Sequence, residues 1–302
     1  MRRSSLYLTM INTLRRRQSV PLPLFYEYWR DTHVGVAARL PGIDTLRTHW
    51  VDWDEGRRWP VIDGVGSELA ESLRFQGIPE PCFTSVEDVH RFGASMGPLM
   101  SDEINIFERT IGFRSMGNNS VTLKQDALQA PNGPLPGPRY LLFMQQRDEL
   151  PSPTFRDGVR RVGVGLAASA QVSKVRLHLL EPYDDTSVFL DAGADAVSHG
   201  LAARDQYQAV VEIGFDDMAA QEGFHAGEQW IMLRDQLREL CRSLHPFAIT
   251  RTYTPKLDGR LTLSGLRGAA VVDQIRALAA VNQVQPATLA LFDGADVVEM
   301  QL

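Results

Sequence analysis

His33 is the residue of this sequence whose surroundings best suit proton-transfer chemistry. It falls on one helical stripe with Phe25, Trp29, Val36 and Leu40, so its side chain is expected to face a sheet together with these apolar residues. Burial disfavours the charged form of an imidazole, so a neutral ring that can accept a proton is expected. The sequence therefore predicts His33 as a general base at the floor of a cavity, although a buried histidine bonded to the backbone would show the same pattern.

His49 and Glu80 form a second candidate pair. Each lies in a segment with strand character, and the two strands are expected to be neighbours in one sheet. A carboxylate that accepts a hydrogen bond from an imidazole orients the ring, so His49 is predicted as the partner acid of His33, with Glu80 steering it. The same pattern recurs as His178 and Glu212, which favours a structural alternative in which both pairs hold two sheets together.

Aromatic and polar side chains near these residues could complete a binding site. Tyr28 is predicted as a catalytic proton donor to a substrate carbonyl, because a phenol can donate a hydrogen bond from the edge of an apolar pocket. The residues predicted to contact the substrate are Tyr7, Tyr26, Trp29, Trp50, Arg47 and Asp102. For each of them taken alone, core packing or an interaction near a helix end is an alternative explanation.

The sequence predicts neither a metal site nor a cofactor. His33, His49 and Glu80 could form a two-histidine, one-carboxylate metal site, but no short-range ligand spacing supports it. The chain also lacks a glycine-rich dinucleotide loop, a phosphate loop and a Gly-x-Ser-x-Gly motif. Its two cysteines, Cys82 and Cys241, lie far apart, so neither a disulfide framework nor a cysteine metal site is expected.

The composition is that of a globular protein expected to bind neither nucleic acid nor membrane. Lys+Arg 31 against Asp+Glu 37 leaves a formal net charge of −6, whereas a nucleic-acid partner would favour a basic face. The apolar stretch 6–14 could mimic a secretory signal, but it runs into three arginines without a cleavage site. After this stretch, no run of uninterrupted apolar residues approaches the length of a membrane-spanning helix. The chain is therefore expected to be cytoplasmic, with a small apolar or aromatic molecule as its partner.

Secondary-structure patterns recur in the same order in two halves of the chain. Residues 117–138 are rich in glycine, proline and asparagine and are predicted as a linker. The first half is predicted to contain strands at 6–13, 45–52, 78–83 and 109–115, with helices at 22–39 and from residue 85. The second half is predicted to contain strands at 140–146, 175–180, 208–215 and 247–254, with helices at 154–168 and 218–243. Such a βαββαβ unit is the ferredoxin-like arrangement of a four-stranded antiparallel sheet with both helices on one face.

The predicted fold is α+β, with two tandem ferredoxin-like βαββαβ units packed sheet to sheet as a pseudodimeric α+β barrel. The predicted domains are a first, working unit at 1–116, the linker at 117–138, a second, degenerate unit at 139–258 and a C-terminal extension at 259–302. The extension carries a predicted helix at 269–280, whose apolar stripe could form a lid or pair two copies of the chain as a homodimer.

Residues 15–42 resemble the opening of EthD-type dimeric α+β barrel proteins. The features that carry the resemblance are a basic turn at Arg15-Arg16-Arg17, then Phe25, the pair Tyr28-Trp29, His33 four residues after Trp29, and the helix-closing Pro41-Gly42. Asp102 resembles the family's acidic position near the end of the second helix. The resemblance is good over 5–116 and weak over 139–254, where His33 has no counterpart, which implies one working pocket and one mainly structural half.

Relatives with this barrel include aromatic polyketide cyclases, lactone isomerases, dehydratases, cofactor-free oxygenases and some haem proteins, so the resemblance implies a range of reactions. Within that range we expect a cofactor-independent lyase, cyclase or isomerase. It would use general acid–base proton transfer to eliminate, cyclise or isomerise a small aromatic or polyketide-like carbonyl compound. Two alternatives stay open here: a non-catalytic small-molecule-binding or accessory protein, and, with less support, a haem- or metal-dependent enzyme.

Overall fold

The computed structural model describes residues 6–184 and 197–292 and has an α+β architecture built on one large antiparallel sheet. The strands of the first half are β1 (Leu8–Arg16), β2 (Thr45–Asp52), β3 (Gly77–Phe83) and β4 (Phe107–Met116). Its helices are α1 (Leu22–Tyr28), α2 (Val34–Ala37), α3 (Trp53–Gly56), α4 (Val86–Ala94) and α5 (Gly97–Ile106). A π-helical segment (Trp29–His33) joins α1 to α2, so these three pieces run on as one helix.

The second half has the same kinds of element. Its strands are β5 (Ser120–Lys124), β6 (Asn132–Pro134), β7 (Arg139–Gln146), β8 (Val172–Leu179), β9 (Ala209–Phe215) and β10 (Cys241–Leu257), and β11 (Arg260–Leu261) follows. Its helices are α6 (Ser152–Ala168), α7 (Met218–Ala226) and α8 (Glu228–Leu240), and the C-terminal extension adds α9 (Leu263–Arg267), α10 (Ala269–Ala277) and α11 (Pro286–Leu289). None of the helices in the described ranges is long and apolar enough to cross a lipid bilayer.

Both halves place their strands in the same relative order. Neighbouring strands follow one another across the sheet in the order β4-β1-β3-β2-β10-β7-β9-β8-β5. If β1 to β4 and β7 to β10 are each counted as the first to fourth strands of their half, both halves have the order fourth, first, third, second. The halves meet where β2 pairs with β10, whose earlier part pairs with β7. At the far end β5 pairs with β8, and β5 follows β4 after the short turn Gly117–Asn119. The two outer strands of this order, β4 and β5, are therefore consecutive along the chain.

Four apolar clusters form the core of the described residues, and the smallest of them lies in the C-terminal extension around Leu263, Val272 and Ile275. In one, the helices between β1 and β4 cover the sheet of the first half, and in another α6, α7 and α8 cover that of the second half. The third cluster joins strand residues of both halves, among them Ile11, Phe113, Phe143 and Phe247. Because side chains alternate along a strand, each half presents one face to its helices and the other to the opposite half.

Some predicted elements differ from those observed. The predicted linker contains β5 and β6, which pair with β8 and β10. Pairing there satisfies the backbone groups of a strand that would otherwise lie at an open sheet edge. The predicted helix at 218–243 is two helices, and β10 begins at Cys241. The helix that begins after the cap residue Ser85 also breaks in two, before Gly97 and Pro98, because proline is favoured in the first turn of a new helix.

Candidate active site

The π-helical segment places Trp29 and His33 on the inner side of the first helix. Phe25, Trp29 and His33 are buried, as the helical stripe predicts. Val36 also belongs to that predicted stripe, but it is exposed, and Ala37 is buried in its place. Leu40, the last residue of the predicted stripe, is buried, so the departure after the π-turn is confined to Val36. Single π-turns inside α-helices occur frequently at functional sites.

A cavity of about 110 Å³ lies between this helix and the sheet of the first half. Most of its walls are apolar, from Leu14, Trp29 and Leu46 together with Phe92 of α4 and proline, leucine and methionine side chains of β3 and α5. The polar residues that line it are Asn12, His33, Thr48, Glu103, Thr110, Arg114, Tyr183, Asp184 and His199. An apolar hollow with a few polar groups is the usual form of a small-molecule site.

His33 and Asp102 form an acid–base pair at this cavity. Nδ1 of His33 lies 2.8 Å from Oδ2 of Asp102. The hydrogen bonds that Asp102 accepts, above all the one from His33, lower its pKa to about 2 although partial burial opposes this. Since the carboxylate can only accept, Nδ1 carries a proton, and it is Nε2 that bears the lone pair when the ring is neutral. Nε2 makes no hydrogen bond within the described ranges 6–184 and 197–292.

Tyr28 contacts Asp102 and does not line the cavity. Its hydroxyl donates to Oδ1 of Asp102 at 2.5 Å, and the amide of Asn105 donates to the same oxygen at 2.8 Å. The hydrogen bond to Asp102 raises the pKa of the Tyr28 phenol. The structure thus joins two predicted site residues, Tyr28 and Asp102, to His33, and these contacts hold the carboxylate that orients the imidazole.

Glu103 lines the cavity and was not among the residues predicted from the sequence. It is 6% exposed, and burial raises its pKa to about 7, although a hydrogen bond with Thr110 opposes the rise; the nearby charge of Asp102 adds a smaller contribution. A carboxyl with such a pKa is partly protonated at neutral pH and can donate a proton. The signal in the sequence is its spacing, because Glu103 falls on the buried stripe of α5 with Leu99 and Ile106.

His49, Glu80 and Arg47 lie on the opposite face of the sheet from His33. Their neighbour Thr48 on β2 lines the cavity, so the alternate residues of that strand point away from it. His49 is buried, with Nδ1 2.9 Å from the hydroxyl of Thr252 and Nε2 3.6 Å from Oε2 of Glu80. The predicted cooperation of His33 with His49 and Glu80, and the metal site considered for the same three residues, are therefore not formed: strand alternation sends them to opposite sides.

Glu80 instead belongs to a buried charge network that joins the two halves. Arg176 of β8 binds both oxygens of Glu80, Nη1 at 2.8 Å from Oε2, and also lies 3.1 Å from Glu212. Burial opposes ionisation of Glu80, but the charge of Arg176 and the hydrogen bonds of His49 and Arg176 outweigh it and hold the pKa well below its usual range. His178, the counterpart of His49, has its pKa lowered to about 4 by burial and by Arg176. This network favours the structural alternative for the repeated histidine–glutamate pattern.

Of the four remaining residues predicted to contact the substrate, one lines the cavity. Trp29 lines the cavity, whereas Tyr7, Tyr26 and Trp50 lie outside it. Tyr26 stacks on Trp50 with ring centroids 4.3 Å apart, and its hydroxyl donates to the carbonyl of Val51 at 3.3 Å. Tyr7 is half exposed near the start of β1. These placements fit core packing for Tyr26 and Trp50.

The first helix of the second half buries apolar side chains. Phe155, Val159 and Val162 of α6 are fully buried and belong to one apolar cluster with residues of β7, β8 and β9.

Comparisons with known proteins show the fold class. No protein-family model matches the chain, and no curated protein sequence matches it either. Among solved structures, a candidate monooxygenase from Fusobacterium nucleatum covers 85% of this chain and 97% of its own at 6% identity, with a TM-score of 0.51. A candidate monooxygenase from Lactobacillus acidophilus covers 83% and 97% at 7% identity, with a TM-score of 0.46. An anthrone oxidase-like protein covers 82% and 93% at 9% identity, with a TM-score of 0.49. The first of these likenesses supports a fold of the dimeric α+β barrel type, and it carries no information on the reaction.

Proposed function

We propose that this chain is an enzyme that transfers protons in the cavity of its first half, with His33 as the general base. The observation that carries the proposal is the His33–Asp102 pair, in which Nδ1 of a cavity-lining imidazole is bound to a carboxylate and Nε2 is left without a hydrogen bond within the described ranges. The buried His49 also has a carboxylate partner but lies away from this cavity, so it is the combination of the His33–Asp102 pair with the cavity that favours proton chemistry over passive binding of a small molecule. In the same proposal, the chain is an EthD-type tandem pseudodimer whose two sheets close into one barrel.

Asp102 supports the base in two ways. Its carboxylate accepts the hydrogen of Nδ1 and so holds the ring in the tautomer that presents the lone pair of Nε2. When Nε2 takes a proton from a substrate, the imidazolium gains an adjacent negative charge that stabilises it. Tyr28 and Asn105 keep that carboxylate in place.

Glu103 is proposed as the general acid in the position first assigned to His49. Its raised pKa leaves a proton available near neutral pH, and its side chain faces the same cavity as His33. A base that removes a proton next to a carbonyl and an acid that protonates the developing oxygen anion together serve elimination, ring closure and isomerisation. Each positioned acid or base contributes about 10²–10⁴-fold in rate.

The proposed substrate is a compact and mostly apolar aromatic or polyketide-like carbonyl compound. A cavity of 110 Å³ is somewhat smaller than the ~150 Å³ cavity that holds benzene in an engineered protein. One six-membered ring is therefore about the largest group that the enclosed cavity holds, and the mostly apolar walls favour a neutral molecule. The proposed chemistry is cofactor-independent.

The experiment that tests this proposal is deuterium exchange into compact cyclic ketones such as 2-cyclohexenone, followed by NMR. We expect wild-type protein to accelerate exchange next to the carbonyl, and His33→Ala to lower that acceleration by about 10²-fold or more, the contribution of one positioned base. Asp102→Asn should lower it too, because an asparagine no longer selects the productive tautomer. His90→Ala, on the exposed surface of α4, is the matched control. Equal exchange in wild type and His33→Ala would contradict the proposal.

A further inference from the structure

Arg114 is the one permanently charged cation among the described residues that line the cavity of His33. It lies on β4, where Thr110, Gly112 and Arg114 share the face towards the cavity, because successive side chains of a strand alternate. The residues between them, Ile111 and Phe113, belong to the apolar cluster that joins the two halves. The side chain of Arg114 therefore belongs to the cavity and not to the space between the sheets.

Arg114 lies at the open end of this cavity. Its side chain is 31% exposed and that of Asp184, which also lines the cavity, is 50% exposed, whereas that of His33 is 6% exposed. Thr110 lies at the other end of this row of β4 residues, where its side chain hydrogen-bonds with Glu103. At ~3.3 Å per residue, the Cα atoms of Thr110 and Arg114 are about 13 Å apart. A ligand whose ring lies beside His33 and Glu103 can therefore extend past Arg114 towards solvent.

The guanidinium of Arg114 has one weak ionic partner. Its Nη2 atom lies 3.5 Å from Oδ2 of Asp184, which is longer than a usual charge-assisted hydrogen bond. It makes no hydrogen bond of normal length with any residue in 6–184 or 197–292. Exposed ion pairs of this kind contribute little to stability, and the five N–H donors of an arginine form a planar fork that matches a carboxylate. The carboxylate of a ligand can therefore replace Asp184.

We propose that Arg114 binds a carboxylate of the ligand at the mouth of the cavity, so that the substrate is a cyclic carbonyl compound with an acidic side chain. This inference rests on the proposed function for the reacting centre at His33, and it adds the substrate class. The ring enclosed by the apolar walls is neutral, and the carboxylate stays in the solvent-exposed part of the cavity, beside the guanidinium. Arg114 is then a specificity-determining residue that selects acids over neutral molecules of the same shape.

The test compares acids with their amides, which have nearly the same shape and no charge. The ligands are benzoate, phenylacetate and 3-phenylpropanoate with the three corresponding amides, and calorimetry on the full-length chain at neutral pH measures their dissociation constants. We expect at least one acid to bind about tenfold more tightly than its amide, the effect of one charge-assisted hydrogen bond. Arg114→Met should remove this preference while amide binding is retained, and the retained binding shows that the variant is folded.

Two further variants complete the design. Asp184→Asn removes the carboxylate that competes for Arg114, so it should strengthen binding of the acid and leave binding of the amide unchanged. Arg251→Met is the matched control, because Arg251 is a partly buried arginine of β10 outside this cavity. Equal or undetectable binding of every acid and its amide, or a preference that persists in Arg114→Met, would overturn the inference. Ligand binding and ketone exchange are separate measurements, so failure of either one leaves the other test intact.

Discussion

Ionisation of Glu103 is expected to lower the free energy of unfolding as the pH rises from 4.5 to 7, and Glu103→Gln should remove this loss. Burial raises the pKa of Glu103 from 4.5 to about 7, so between these values the folded protein holds a proton that the unfolded chain has released. Stability then falls as pH rises through this window and levels off above it. The difference of 7 − 4.5 = 2.5 pH units corresponds to about 3 kcal/mol at 1.36 kcal/mol per unit.

The assay is urea denaturation of wild type and Glu103→Gln at several pH values from 4 to 8. Other groups also titrate in this range, so the quantity of interest is the difference between the two free energies of unfolding. We expect that difference to change in favour of the variant by about 3 kcal/mol between pH 4.5 and 7, because glutamine does not ionise. Glu87→Gln, on the exposed surface of α4, controls for the chemical change. A difference that does not vary with pH would refute the assignment of Glu103 as a buried, neutral acid.

Two further predictions concern packing. Arg176→Met should lower the free energy of unfolding by about 3–5 kcal/mol, because it leaves Glu80 buried without its main partner. Urea denaturation measures this, and a loss below about 1 kcal/mol would show that the pair is not needed to join the halves. Gly77→Ala should destabilise by about 1–3 kcal/mol, because the added Cβ would lie 2.7 Å from the Trp29 ring. Gly97→Ala, where a Cβ meets nothing within 4 Å, is the control, and equal melting temperatures for both variants would contradict the clash.

Local patterns predicted much of the secondary structure. The predicted strands overlap β1 to β4 and β7 to β10, because alternation of apolar residues and turn-forming residues is a property of short segments. The burial of Phe25, Trp29 and His33 followed from helical spacing in the same way. The π-turn was not predictable from that spacing, since one extra residue in a turn leaves the composition of the segment unchanged.

The candidate site depended more strongly on contacts between distant segments. His33 and Asp102 are separated by 69 residues, and their hydrogen bond forms because α5 packs beside the π-helical segment. The raised pKa of Glu103 also has a tertiary cause, since a carboxyl on a helix stripe is desolvated only when another element covers it.

Strand β2 shows the difference between what the sequence determined and what only the tertiary structure decided. Its sequence by itself determined that Arg47 and His49 share one face and that Thr48 and Trp50 share the other, because successive side chains of any strand alternate. Which face meets the helices, and so reaches the cavity, was decided only when the strand paired with β3 and β10 and both sheet faces were covered. Alternation is a local property of the backbone, whereas the choice of face is the outcome of burying the whole apolar surface at once.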